Sequence, residues 1–250
     1  MAPFLGLILS LLALNFLRDM LNRTIYRYLL RIFKNIRLAT YLFALVFLPG
    51  VALHEISHWI MAKILFVKTH QFSLIPEWIE DGTIRFGYVE MSKTDRLRSA
   101  LIALAPLLTG VGVILWLSFR HLHLDLVLQG MIELEWEMVK AGLKIFILTP
   151  DLFLWIYLLF TISNTMLPSP SDRKAWVPVG AIFAVIYMVV VVISMGSPTS
   201  SLLVNSANSI AHVLIRAFGI AAILNLCFLI PLILLKKIFS NRWDIFSSIL

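Results

Sequence analysis

Residues 99–119 form a run of 21 amino acids without a single charge. An α-helix rising about 1.5 Å per residue crosses a hydrocarbon core of about 30 Å in such a run. Comparable stretches recur along the chain, and its charges cluster between them. Only 14% of its 250 residues are charged and 60% are hydrophobic, whereas a soluble domain carries about 25% charged residues. A water-soluble globular fold is excluded. In lipid every backbone N–H and C=O must find a partner inside the protein, so the expected fold is an all-α polytopic membrane protein.

The spacing predicts about six transmembrane helices. Residues 4–17 are apolar, lack a preceding charge and a small-residue cleavage site, and read as a retained first span. From Arg23 onward, Arg27, Arg31, Lys34 and Arg37 share one helical arc opposite Ile25, Leu29, Ile32, Phe33 and Ile36. This predicts a separate interfacial amphipathic helix. Span two starts at Leu38, is expected to kink at Pro49-Gly50, and continues through His54 toward Phe66. Residues 71–79 and 83–89 are rich in aromatic and β-branched side chains, and Asp81-Gly82 between them predicts a β-hairpin.

Span three covers residues 99–119. Residues 120–149 lie outside the core, and Thr149-Pro150 is expected to cap span four, residues 150–167, as N-cap and first helical residue. Span five takes residues 175–195 and span six ends at Leu235, with Arg216 interrupting its apolar run. The expected organisation is therefore residues 1–37 as first span and basic helix, 38–176 as a central membrane core, and 177–250 as the last two spans.

The net charge of +7 comes from basic residues flanking apolar segments, which points to anionic lipid rather than nucleic acid. One cysteine, Cys227, excludes an intrachain disulfide and a thiolate zinc cluster.

His54-Glu55-Ile56-Ser57-His58 is an HExxH pattern. On a helix, positions i and i+4 share a face, so two imidazoles can hold one Zn²⁺ while Glu55 reaches the metal-bound water as general base. Chance gives roughly 0.004 such patterns in a chain of this composition. Two histidines and a glutamate following a 16-residue uncharged run would be costly to place in a membrane without partners. A catalytic zinc site needs a third protein ligand. Asp172, after the turn-forming Pro168-Ser169-Pro170, is one choice, and Glu77, Glu90 and His70 near the hairpin are others. His70, His121, His123 and His212 are assigned no role of their own.

These features resemble the site-2 protease family of intramembrane zinc metalloproteases. His54 to His58 matches its HExxH, residues 62–74 are similar to its helix exit into strands, and Gly87-Tyr88-Val89 resembles its Gly-Tyr-Val stretch. Ala105-Pro106 stands where Gly-Pro is commoner. Residues 164–172, Asn-Thr-Met-Leu-Pro-Ser-Pro-Ser-Asp, are similar to an Asn/Pro-rich segment ending in a metal-binding aspartate, although the usual Leu-Asp-Gly is here Ser171-Asp172-Arg173. The resemblance implies one zinc ion on His54, His58 and Asp172, Glu55 as general base, and Asn164 donating a hydrogen bond to substrate or oxyanion. Transmembrane protein segments are the implied substrates, unwound and paired with the hairpin edge by strand addition. The expected location is the cell membrane of a prokaryote, with the zinc site toward the cytosol. Two other readings compete: an inactive relative that binds transmembrane helices, suggested by Arg173, and a metal transporter, which would carry further ligands along several spans.

Overall fold

The computed structural model describes residues 2–78, 84–169, 172, 174, 189, 192 and 198–238. Among the described residues four helices are long and apolar enough to cross a membrane, and a fifth span results if one bent helix pair is counted as one. The fold is mostly helical with a small β-element, consistent with a multi-pass membrane protein. The expected span five, residues 175–195, and the Asp81-Gly82 turn lie almost wholly or wholly outside the described residues.

Helix α1 (Ala2–Phe33) is continuous, so the expected break between a first span and a separate basic helix is absent. No glycine or proline occurs between Gly6 and Pro49 to interrupt it. At 32 residues it is roughly 48 Å long, longer than a hydrocarbon core, so one helix supplies both the span and the basic segment. Lys34, at φ 50°, ends it. Asn35 then caps α2 (Ile36–Ile64), accepting from the backbone N–H of Leu38 at 3.1 Å. Helix α2 runs unbroken through Pro49 and carries His54, Glu55 and His58.

Strands β1 (Thr69–Ser73), β2 (Glu77–Trp78), β3 (Ile84–Arg85) and β4 (Tyr88–Met91) follow. They form the expected hairpin as two antiparallel ladders, β1 with β4 and β2 with β3, with a register irregularity between Thr69 and Phe72. Helix α3 (Arg96–Trp116), capped by Asp95, continues as a π-helical turn, Leu117–His121. The segment expected outside the core is an antiparallel pair, α4 (Leu124–Glu133) and α5 (Trp136–Ile147).

Helix α6 (Leu152–Thr165) has 14 residues, roughly 21 Å. It therefore falls short of the full span expected for residues 150–167. Its N-cap is Asp151, in a left-handed conformation. The Thr149 hydroxyl turns back to the Ile145 carbonyl at 3.1 Å instead of capping α6. The last described helix, α7 (Pro198–Ile238), leaves Arg216 exposed on its surface. Tyr28 of α1 ties to it by donating to the Leu232 carbonyl at 2.6 Å.

Small residues set the helix spacing around the future site. A Cβ at Gly50 of α2 would collide with the Thr161 carbonyl of α6, and one at Gly110 of α3 with Met166. The end of α6 is thus wedged between α2 and α3 at backbone contact, a packing mode that membranes favour where no hydrophobic effect drives helices together. Gly112 faces open space. Gly50→Ala is expected to lower thermal stability in detergent, at an overpacking cost of about 1–3 kcal/mol. Gly112→Ala is expected to be neutral or to stabilise by up to about 1 kcal/mol, since alanine is the better helix former. The two melting midpoints, measured against wild type, check the wedge.

Candidate metal centre

The two histidines project from one face of α2, and each ring is oriented by a carbonyl on a different helix. His54 Nδ1 donates to the Thr165 carbonyl of α6 at 2.8 Å. Thr165 is the last residue of α6, where helix geometry leaves carbonyls without an intrahelical partner. His58 Nδ1 donates to the Ile102 carbonyl of α3 at 2.9 Å. That carbonyl is available because the residue four positions on is Pro106, which has no N–H to bond back to it.

Both hydrogen bonds place the ring proton on Nδ1 and leave Nε2 as a lone pair. The two Nε2 atoms lie 3.2 Å apart. Asp172 meets them, with Oδ1 3.4 Å from His58 Nε2 and Oδ2 3.6 Å from His54 Nε2. Ser169 supplies both its backbone N–H, at 2.9 Å, and its hydroxyl, at 2.6 Å, to Asp172 Oδ2.

Three lone-pair donors therefore converge, and a cation among them removes their repulsion. A tetrahedral ion with bonds of about 2.0–2.2 Å sets its ligand atoms roughly 3.3–3.6 Å apart, close to the 3.2 Å between the two Nε2 atoms, and one ligand atom from each of the three residues lies within 4.8 Å of the others. The group could hold a metal ion, and among the described residues no other set of three His, Cys, Asp or Glu side chains does so. The alternative third ligands are engaged elsewhere. His70 Nε2 contacts the Ser92 hydroxyl at 2.9 Å, Glu77 accepts from the Tyr88 hydroxyl at 3.0 Å, and Glu90 points outward from β4.

Glu55, buried beside the histidines, faces the hairpin: a Cβ on Gly87 would come within 3.0 Å of its Cγ. Gly87, between β3 and β4, leaves the chain close to this carboxylate, where a larger residue would press on Val51 and Glu55. The cleft between α2 and the hairpin has a volume of about 1230 Å³, and His54, Glu55, His58 and Asp172 all open onto it. Helix α1 contributes Arg18 and Asn22 to the same cleft.

Asn164 also lines this cleft but is 4% exposed, and its amide nitrogen donates to the Phe160 carbonyl and to Asn225 Oδ1, both at 2.8 Å. An amide has two N–H donors, so both are engaged and none is left for an oxyanion. Among the described residues its Oδ1 has no partner. Asn225 of α7, fully buried, was not singled out in the sequence. A single amide within the uncharged run of residues 217–235 is its signal in the sequence.

Sequence reasoning also passed over Pro106 as a determinant of the site. In Pro106→Ala the new N–H competes for the Ile102 carbonyl and loosens His58. Zn²⁺ affinity, read by chelator competition, is expected to fall about 10-fold, as for other residues that orient metal-binding histidines, while the α3 helix itself gains stability from losing the proline. Asp172→Ala is expected to weaken binding more than Pro106→Ala. No family model, no curated protein and no solved structure matches this chain, so a functional reading rests on the chemistry of the cleft.

Proposed function

We propose that the protein is a zinc-dependent intramembrane endopeptidase that cleaves transmembrane segments of other membrane proteins. The single observation carrying this reading is the placement of Glu55: one residue from His54, on the cleft that receives the His54–His58–Asp172 group, against the backbone of the hairpin. An ion-storage or transport site has no need of a carboxylate beside the ligands that is not itself part of the ligand group. A hydrolase does need a base there.

His54, His58 and Asp172 would hold the ion. Zinc, when bound, supplies Lewis-acid polarisation of the scissile carbonyl and lowers the pKa of water toward neutrality. Glu55 takes the proton from the attacking water and delivers it to the leaving amine nitrogen. Polar side chains turned into a protein-lined cleft let water reach this depth without contact with lipid.

A helical substrate has its carbonyls hydrogen-bonded and has to unwind before attack. Strand β4, whose Tyr88, Val89 and Met91 border the cleft, offers backbone groups to the unwound segment and sets its register. Arg173 directly after the metal aspartate favours the second reading, an inactive relative that binds transmembrane helices.

Glu55→Gln keeps the shape of the site and removes the base. In a panel of transmembrane peptides in liposomes, wild type is expected to cleave and the variant to lose about 10²–10⁴-fold in rate, with zinc content by elemental analysis unchanged. Equal cleavage by both removes Glu55 as base. Zinc retained by a wild type that cleaves nothing supports the inactive relative.

A further inference from the structure

The α4–α5 pair has no place in the proposed chemistry, and its surface is unusual. At its tip Met131, Ile132, Leu134 and Trp136 are 60%, 80%, 77% and 69% exposed. Along α5 the exposed Leu143 and Ile147 continue the line from Trp136 on one face, since positions i, i+7 and i+11 fall within about 40° on a helix. Glu137, Lys140 and Lys144 occupy the adjoining arc, with Glu137 and Lys140 paired at 2.8 Å. The packed side, with Val139 and Gly142 buried, lies roughly a quarter-turn round the helix from that face. A Cβ on Gly130 would meet the Val139 backbone, and one on Gly142 would meet Val127, so the two helices touch closely.

The orientation of this pair is set at the break before α6. Helices α5 and α6 are bent by 99°. His121 stacks on Trp155 with ring centres 4.2 Å apart and meets the Trp116 edge at 4.5 Å, while the Trp155 indole N–H donates to the Pro150 carbonyl at 3.1 Å. Helix α6 packs along the spanning helix α2, so α5 runs across the direction of the spans. Its 12 residues, roughly 18 Å, are too few to cross a bilayer. Ile102, near the histidines, and His121, at the break, lie at opposite ends of the third span, so the pair sits at the end of α3 and α6 remote from the metal centre.

We infer that the α4–α5 pair lies in the plane of the membrane, its tip and the Trp136–Leu143–Ile147 face inserted among acyl chains of the leaflet remote from the metal centre. The occupant is lipid rather than protein because the face is continuous with lipid-facing surface: Phe153 and Leu154 at the start of α6 are 87% and 50% exposed. A helix as short as α6 also leaves part of a hydrocarbon core of about 30 Å uncovered, and an in-plane pair at its end fills that gap. Charges of both signs along the polar arc mean that apolar insertion, not attraction to anionic headgroups, holds the pair.

The test uses the full chain with Cys227→Ser and single cysteines, one per variant, replacing Trp136, Leu143 or Ile147 and, as controls, Glu137 or Lys140. Each is nitroxide-labelled and reconstituted in phosphatidylcholine vesicles. Spin relaxation is measured with oxygen, which enters acyl chains, and with a water-soluble nickel chelate. The apolar positions are expected to give an oxygen-to-nickel collision ratio severalfold above that of the controls. Equal nickel access at both sets overturns the inference in favour of a water-exposed pair. Shielding of the apolar set from both reagents overturns it in favour of a protein partner, a second copy if dipolar broadening disappears on dilution with unlabelled chain.

Discussion

The candidate metal centre depends on the docking of the last turn of α6 against α2. Backbone contact at Gly50 and Thr161 brings the two helices together, and the hydrogen bond from His54 to the Thr165 carbonyl fastens them at the place where the chemistry sits. One short-range arrangement does three things. It satisfies an orphan carbonyl at a helix end, selects the ring tautomer of a metal ligand, and starts the turn at Met166 that returns Asp172 to the histidine pair. If α6 were displaced from α2, the carboxylate and the imidazole lone pairs would no longer meet.

The second histidine is held by the same logic with a different source of acceptor. Helix interiors ordinarily offer no free carbonyl, and α3 offers one only because Pro106 cannot bond back to Ile102. Both ligands thus lean on backbone defects, one at a helix terminus and one inside a helix. Backbone acceptors are fixed by packing, so they hold a ring more rigidly than a flexible side chain would. The Ser57 and Thr109 hydroxyls, 2.6 Å apart, add a polar contact between α2 and α3 one helical position before His58.

Much of the fold was legible from local pattern. Helices α2, α3 and α7 are long and apolar enough to cross a bilayer, and the HExxH spacing is itself helix geometry, so His54 and His58 had to share a face. The hairpin was visible in its β-branched residues, although its splitting into two ladders was not. Misreadings came where two physical tendencies compete. The basic stripe after Arg23 has interfacial chemistry, but nothing in residues 18–23 breaks a helix, so α1 continues through it. Residues 150–167 are apolar enough for a span, yet Asp151 begins the helix late and Thr165 ends it early. Asn164 is the kind of residue that could serve an oxyanion, and only its neighbours Phe160 and Asn225 show its N–H groups to be engaged.

By itself the sequence determined that the chain lives in a membrane and that two histidines and a glutamate share one helical turn, because hydropathy and helical spacing are local properties. Local pattern left the third member of the group open among four residues; the family resemblance implied Asp172, and the tertiary structure brings Asp172 to the histidines. His54 and the carbonyl that orients it are 111 residues apart, and a contact at that separation exists only once glycines let helices approach. The same holds for the role of Pro106, which reads as a helix irregularity until the ring of His58 is seen to use the carbonyl it frees.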